Sequence, residues 1–358
     1  MVNFIVAFLS IIALAALHEF GHFLIAKKCG VKIEEFGIGY PPRIFGKKIG
    51  ETFYSLNILP LGAFVKMEGE EKNIDNPTSF SNQPVKNKIF IILAGVISFW
   101  LVAIIIFSTI FYLGYGVVVD DDNHSNLSNF EVHIIEVAEL SPANEADLRL
   151  GDIIKKMSFG EQEIFPLKIN DIQSFVNAHL GEKINILIKR GDQELEKSLI
   201  VRSSFPEEEG AMGVALIRTA VEKHSWYSAI LQGIIRTWDS TIMVLEGYTL
   251  MITNFFRGIP SEGGMVGPIG VFQMVAQSQE LGTVYFLSFI SLISINLAVF
   301  NSLPIPLMDG GRVLFLLIEW IRKKPISQKI QEKIDATSLV FLGVLIVWVM
   351  VKDIINLF

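Results

Sequence analysis

Residues 89–113 run for 25 positions without a formal charge, and residues 281–308 run for 28. Either stretch is long enough to cross about 30 Å of hydrocarbon as a helix, which excludes a wholly soluble fold. Two more stretches share the pattern. Residues 2–26 carry Glu19 as their only formal charge, and residues 336–356 open with ATSLVFLGVLIVWVMV. Composition agrees: 51% of the 358 residues are hydrophobic and 19% charged, with a mean hydropathy of +0.47. The sequence predicts a polytopic α-helical membrane protein with four transmembrane helices, the third continuing as an unwound segment through 281–308, and a soluble insert. The first stretch lacks a basic n-region and a cleavage site, so it reads as a retained helix and not a signal peptide. A net charge of −7 without a basic cluster excludes nucleic acid as a partner. The single Cys29 excludes a disulfide framework and a cysteine-ligated zinc finger.

Charge asymmetry gives an expected orientation. Segment 27–88 holds ten basic and seven acidic residues, and segment 309–334 holds six and three. Segment 114–280 holds thirteen basic and twenty-four acidic residues, with Asp120, Asp121 and Asp122 directly after the second apolar stretch. The positive-inside rule puts 27–88 and 309–334 in the cytoplasm, and leaves the acidic insert and both termini outside.

The insert reads as a small α/β domain over 116–205. EVHIIEV (131–137), INILIKR (184–190) and ELEKSLIVR (194–202) have strand character, the last two joined by a hairpin turn at Arg190-Gly191-Asp192. NDIQSFVNAHL (170–180) has helical spacing and a stop at Gly181. Pro206 and Glu207–Glu209 read as a solvated boundary. Over 229–257, Gln232, Arg236, Asp239, Glu246 and Arg257 fall on one face of a helical projection. This pattern predicts an amphipathic helix in the outer interface, since a true span would have to hide those charges.

The chemistry is concentrated in the first apolar stretch, at His18-Glu19-Phe20-Gly21-His22. Histidines four apart share one helix face and can bind one metal ion. Glu19 then stands beside the water that a bound metal activates, where it can act as general base. Two histidines and a glutamate in hydrocarbon are costly unless paired, metal-bound or facing a wet cavity. Gly21 thins the neighbouring face and admits a second helix.

A tetrahedral catalytic zinc needs a third protein ligand. His124, His133, His179 and His224 lie in the insert, on the wrong side of the membrane. The third span ends in Asn301-Ser302-Leu303-Pro304-Ile305-Pro306-Leu307-Met308-Asp309-Gly310-Gly311. Two prolines two apart cannot sit in a continuous helix, and irregular backbone at membrane depth must line protein or a wet cavity. Asp309 thereby reaches the depth of His18 and His22. Its competing role is to cap a helix over 311–322.

HEFGH and NSLPIPLMDGG together resemble the site-2 protease family of intramembrane zinc metalloproteases, in particular its bacterial, regulator-of-sigma-E-protease-like branch with a single PDZ domain. FGIGYPPRIFG (36–46) and LNILPLGAFVKMEGE (56–70) are similar to the family's membrane-associated β-hairpin region. SPANEADLRLGDIIKKMSFG (141–160) resembles its PDZ signature, and GGMVGPIG (263–270) its loop before the third span. LAGVISFW (93–100) departs from the usual AGPxxNF, with Val96 for the proline and Phe99 for the asparagine; Ala63 replaces a second glycine. The resemblance implies Zn2+ held by His18, His22 and Asp309, Glu19 as the catalytic base, and Asn301 and Asn296 as substrate-positioning amides. The alternative for Asn296 is an interhelical hydrogen bond.

The resemblance also implies a bacterial inner-membrane enzyme cutting peptide bonds in or near the membrane-spanning segment of single-span proteins. Anti-sigma factors and remnant signal peptides are examples, with an upstream site-1 protease acting first on the same substrate. The cytoplasmic hairpin, strand-like over 52–58 and 62–67, offers an edge for an unwound substrate. The PDZ domain would exclude untrimmed substrates. Two rivals are a catalytically silent PDZ membrane scaffold with a structural metal, and a transporter with a broken helix at Pro304–Pro306. A structural zinc site is normally closed by four protein ligands, and the chain has no internal repeat, which weakens each rival in turn.

Overall fold

The computed structural model describes residues 2–70, 74–121, 127–191, 193–206, 210–258, 267–324 and 326–355. It comprises two compact units, one of Met1–Phe107, Ile230–Gln277 and Leu287–Phe358, the other of Ser108–Ala229 and Ser278–Phe286. Glu207–Glu209, Asp122, His124 and residues 263–266 of the loop noted above lie outside the described residues.

Helix α1 (Val2–Lys28) is mainly apolar apart from His18, Glu19 and His22 and ends in two lysines, whose charge suits the carbonyl end of a helix dipole. It stops in a paired turn: the N–H of Gly30 bonds Lys27 O and that of Val31 bonds Ala26 O, which satisfies the last free carbonyls. Two long strands follow, β1 (Ile33–Ile49) and β2 (Thr52–Met67), paired antiparallel. Their register folds back on itself. Residues 43–49 of β1 pair with 52–57, while Glu35–Ile38 pair both with Phe53–Leu56 and with Ala63–Lys66. The last stretch of β2, 63–67, therefore has β1 on one side and no strand among the described residues on the other. Phe23, Ala26, Val31, Ile33, Met67 and Ile91 bury together and fasten this sheet to α1 and to α2 (Val85–Leu113).

The second unit carries an antiparallel sheet. Its strands are β3 (Tyr115–Val118), β4 (Ser128–Val137), β5 (Ile153–Phe159), β6 (Gln162–Ile164), β7 (Lys183–Arg190), β8 (Gln193–Ile200) and β9 (Val214–Glu222). They run in the order β3-β9-β4-β5-β7-β8, with β6 on β5. Short helix α3 (Pro142–Glu145) and helix α4 (Ile169–Ala178) complete it. Val132, Ile134, Ile154, Met157, Ile172, Phe175, Ile184 and Ile188 form its core. The sheet continues past residue 205, because β9 sits between β3 and β4.

The chain then runs through α5 (Trp226–Arg257), α6 (Pro268–Glu280), α7 (Thr283–Ser302), α8 (Asp309–Arg322) and α9 (Gln328–Ile355). Among the described residues, four helices have the length and composition to cross a membrane: Asn3–Lys28, Val85–Leu113, Thr283–Ser302 and Lys329–Val351. These match the four expected stretches. Helix α9 begins eight residues earlier than 336, because Lys329 and Lys333 sit in its first turns and hide its start from a hydropathy reading. Helix α5 is not among the four. Its buried stripe is small and hydroxylic, with Thr237, Ser240 and Thr241, whereas Ile234, Trp238, Ile242 and Leu245 are exposed. Trp100 Nε1 of α2 donates to Thr241 Oγ1 over 3.2 Å, and Tyr248 of α5 donates to Asn296 of α7 over 3.2 Å. Hydroxyl and small residues packing helices together is how bundles associate in lipid.

Candidate metal centre

Histidines 18 and 22 lie one turn apart on α1, and two glycines bring α2 up against them. A Cβ at Gly21 would stand 2.5 Å from Ala94 O. A Cβ at Gly95 would stand 2.1 Å from His22 Nε2 and 2.8 Å from His18 Cε1. Position 95 is thus the floor of a cradle that any side chain would fill. His22 Nδ1 lies 2.9 Å from Ile91 O. A carbonyl can only accept, so Nδ1 carries the proton and Nε2 keeps its lone pair for a metal.

The third group arrives through a break in the chain. After Ser302, Leu303 bonds Phe300 O, Ile305 bonds Leu303 O and Met308 bonds Ile305 O. Leu307 takes a positive φ of 76°. The segment doubles back so tightly that a Cβ at Gly310 would be 2.3 Å from Ser302 O and one at Gly311 2.2 Å from Ile305 O. Only glycines allow that return, and it sets Asp309 at the head of α8. The cap of α8 is Met308, with no side-chain capping bond, so capping is not the task of the Asp309 carboxylate.

Instead that carboxylate meets the histidines. Asp309 Oδ2 lies 3.4 Å from His18 Nε2 and 3.4 Å from His22 Nε2, and the two Nε2 atoms lie 3.3 Å apart. Three tetrahedral donors about 2.05 Å from one zinc ion are separated by roughly 3.3 Å, so the triangle has the edge length that zinc requires. Asp309 Oδ2 is buried with no hydrogen-bond partner, which is costly unless a cation satisfies it. Two imidazoles and one carboxylate with a fourth position open fit a catalytic zinc. These three residues form the candidate metal cluster among the described residues. His133, His179 and His224 belong to the second unit.

Glu19, one residue after His18 on α1, reaches toward the sheet. Its Oε2 accepts the backbone N–H of Val65, on the outer stretch of β2, over 3.1 Å. Arg312, one turn after Asp309, bonds Glu70 Oε1 just past β2 over 2.8 Å, tying α8 to the sheet. The two amides are engaged elsewhere. Asn301 Nδ2 donates to Leu297 O. Asn296 donates to Leu292 O and accepts from Tyr248, which is the interhelical role held as its alternative.

Gly95, the Ile91 carbonyl and the Val65 amide had no individual signal in the residue chemistry. Gly95 was visible only inside the quoted LAGVISFW segment, and a backbone carbonyl or amide carries no side-chain mark at all. Phe99, noted only as a departure, lies flat against the His18 ring, centroids 4.7 Å apart and planes inclined by 16°.

Comparison with known proteins identifies the family. The model of Peptidase family M50 matches residues 4–345. A Clostridium perfringens protein named "Putative zinc metalloprotease CPE1693" is 32% identical over 352 residues, covering 98% of each chain. "Regulator of sigma-W protease RasP" of Bacillus subtilis is 26% identical over 439 residues, covering all of this chain and 99% of that one. A family match spanning nearly every residue, with full-length relatives on both sides, leads to one conclusion: the chain belongs to Peptidase family M50, the site-2 proteases, and is a zinc metalloprotease with membrane-spanning helices.

Proposed function

We propose that the protein hydrolyses peptide bonds in or near the membrane-spanning segments of single-span membrane proteins, with zinc held by His18 Nε2, His22 Nε2 and Asp309 and with Glu19 as general base. The observation that carries this reading is the triangle of donors, 3.3 to 3.4 Å on every edge, two of them on a helix of spanning length. Zinc bound there supplies the Lewis acidity that makes water a nucleophile near neutral pH. His22 contributes a preset tautomer through its bond to Ile91 O. Glu19, beside the ligand pair, takes the proton of the attacking water and delivers it to the leaving amine. Its bond to the Val65 amide keeps the carboxylate turned toward the strand where substrate would lie.

A helical substrate must unwind before its backbone can be attacked, and in lipid the freed N–H and C=O groups need partners. The free side of residues 63–67 offers them by β-addition. Asn301 is the better placed of the two amides to hold the scissile backbone, since both ends of the Asn296 amide are already bonded. The insert acts as a PDZ-type filter outside the membrane, holding back substrates whose outer domain an upstream site-1 protease has not yet trimmed. The acidic insert and both termini face the outside of a bacterial inner membrane, and α5 packs against α2 and α7. Anti-sigma factors and remnant signal peptides are the substrate classes this arrangement suits; the name of the RasP relative concerns regulation of sigma-W.

Metal removal tests the reading. Treating the protein in detergent with a chelator should abolish cleavage of a membrane-spanning reporter, and stoichiometric zinc should restore it. Cleavage that persists without zinc would overturn it.

A further inference from the structure

The two histidines of the centre are fixed by different means. An imidazole ligand must hold one lone pair on the metal, and the usual device is a hydrogen bond at its other nitrogen. His22 has that bond, to Ile91 O. His18 has no well-aligned bond of that kind: its Nδ1 is buried without a partner of good geometry, the Gly95 carbonyl lying nearby. Its ring is instead confined by two aromatic surfaces. Phe99 lies nearly parallel at 4.7 Å and 16°, and the His22 ring meets it edge-on at 4.7 Å and 84°.

Phe99 is well suited to act as a wall. It is 3% exposed, and its carbonyl accepts the Ser294 hydroxyl of α7 over 2.8 Å, so the backbone that carries the ring is pinned from a third helix. It follows Gly95 by one turn on α2, so the glycine opens the cradle and the phenylalanine closes its side. This is also a position where the chain departs from the asparagine usual in the sequences it resembles.

We propose that Phe99 is a positioning residue for His18, setting the imidazole plane by face-to-face packing where no well-aligned hydrogen bond does so. The proposal rests on His18 being a zinc ligand. Phe99 touches neither substrate nor metal and acts only through the histidine. A flat partner at 4.7 Å blocks rotation of the imidazole out of its plane, because rotating it would drive one edge into the neighbouring ring. A flexible side chain of similar volume would fill the space without enforcing the plane.

The test is a zinc-affinity cycle on the full chain in detergent, by competition with a chromophoric chelator, with melting of the zinc-free protein as a control. Phe99→Leu should weaken zinc binding about tenfold or more, the scale of losing a supporting contact to a ligand, without lowering the melting temperature of the zinc-free form. Phe99→Tyr, which keeps the aromatic face, should bind like the parent. In a His18→Ala background Phe99→Leu should have no further effect, whereas in an Asp309→Ala background it should retain its full effect. A Phe99→Leu loss that persists undiminished without His18, or no loss in the parent, overturns the proposal. If His18→Ala itself leaves zinc affinity unchanged, the ligand assignment fails first, and the two failures are told apart.

Discussion

A single methyl group at position 95 would occupy the space where His22 Nε2 now lies, since the added Cβ would be 2.1 Å away. Overpacking of this kind costs about 1–3 kcal/mol when neighbours can shift. Here the neighbour is the metal-facing nitrogen itself. Gly95→Ala should therefore reduce zinc affinity by about ten- to a hundredfold while the sheet of the second unit keeps its melting temperature. Zinc titration of the purified variant checks this, and parent-like affinity would mean that α1 and α2 do not approach as described. At this scale the sequence was legible where side chains do the work. The i, i+4 histidines disclosed one face of the centre, and the paired prolines disclosed that Asp309 returns to it. The Ile91 carbonyl and the Val65 amide were hidden because backbone groups are common to all residues, and only the packing of α2 and β2 against α1 singles them out.

Among the elements, the outer stretch of β2 makes the sharpest claim. A proline there removes a donor while leaving the pairing with β1 on the other side. Val65→Pro deletes the N–H that Glu19 accepts, and with it the bond that holds the carboxylate against the strand. Reporter cleavage should fall about tenfold to a hundredfold, the scale of a misplaced catalytic group, while Val65→Ala, which keeps the N–H, should cleave normally. Equal cleavage by the proline variant would remove β2 from the mechanism. In the second unit, Asp147 accepts from Lys197, Arg149 and Arg190, and these cations, Lys197 foremost, hold its carboxyl well below its ordinary value of 3.8. A depressed carboxylate contributes stability above its unfolded pKa and loses it as pH falls through the folded one. Asp147→Asn, which keeps the left-handed φ of 55° accessible, should thus lower the unfolding temperature of the protein at pH 7. That deficit should shrink steadily below about pH 4. A pH-independent deficit would contradict the ion-pair account.

Element types were readable where hydrophobic periodicity was clean. Strands at 131–137, 184–190 and 194–202 correspond to β4, β7 and β8, and the helix at 170–180 corresponds to α4. Strands β5 and β9 were missed because charge interrupts their pattern. Lys155 and Lys156 sit in the middle of β5. Arg218, in β9, is 4% exposed, satisfied by the carbonyls of Leu167 and Asp120 and lying over the Phe130 ring. A buried arginine with such partners reads in sequence as a surface position.

At the scale of the whole molecule, the expected helical membrane protein with a β region is present, as are the family and the zinc chemistry. The legible part came from lipid itself. Hydrocarbon tolerates few charges and few broken helices, so Glu19 with its two histidines, and the Pro304–Pro306 break, stood out from apolar surroundings. In a soluble chain the same residues would have competed with many surface charges. The fold-back of β1 and β2 was not readable in this way: the strand-like stretches 52–58 and 62–67 are parts of one continuous element from Thr52 to Met67.

The account as a whole depends on Glu19 serving chemistry and not architecture, and one paired measurement addresses that directly. Glu19→Gln keeps the side-chain shape and an oxygen to accept the Val65 amide, but it cannot take a proton from water. Zinc content and cleavage of a membrane-spanning reporter should be measured together on parent and variant. The account predicts equal zinc in both proteins and cleavage reduced at least a hundredfold in the variant, in line with the loss of general-base catalysis. A Glu19→Gln protein that holds zinc and cuts at the parent rate would contradict it.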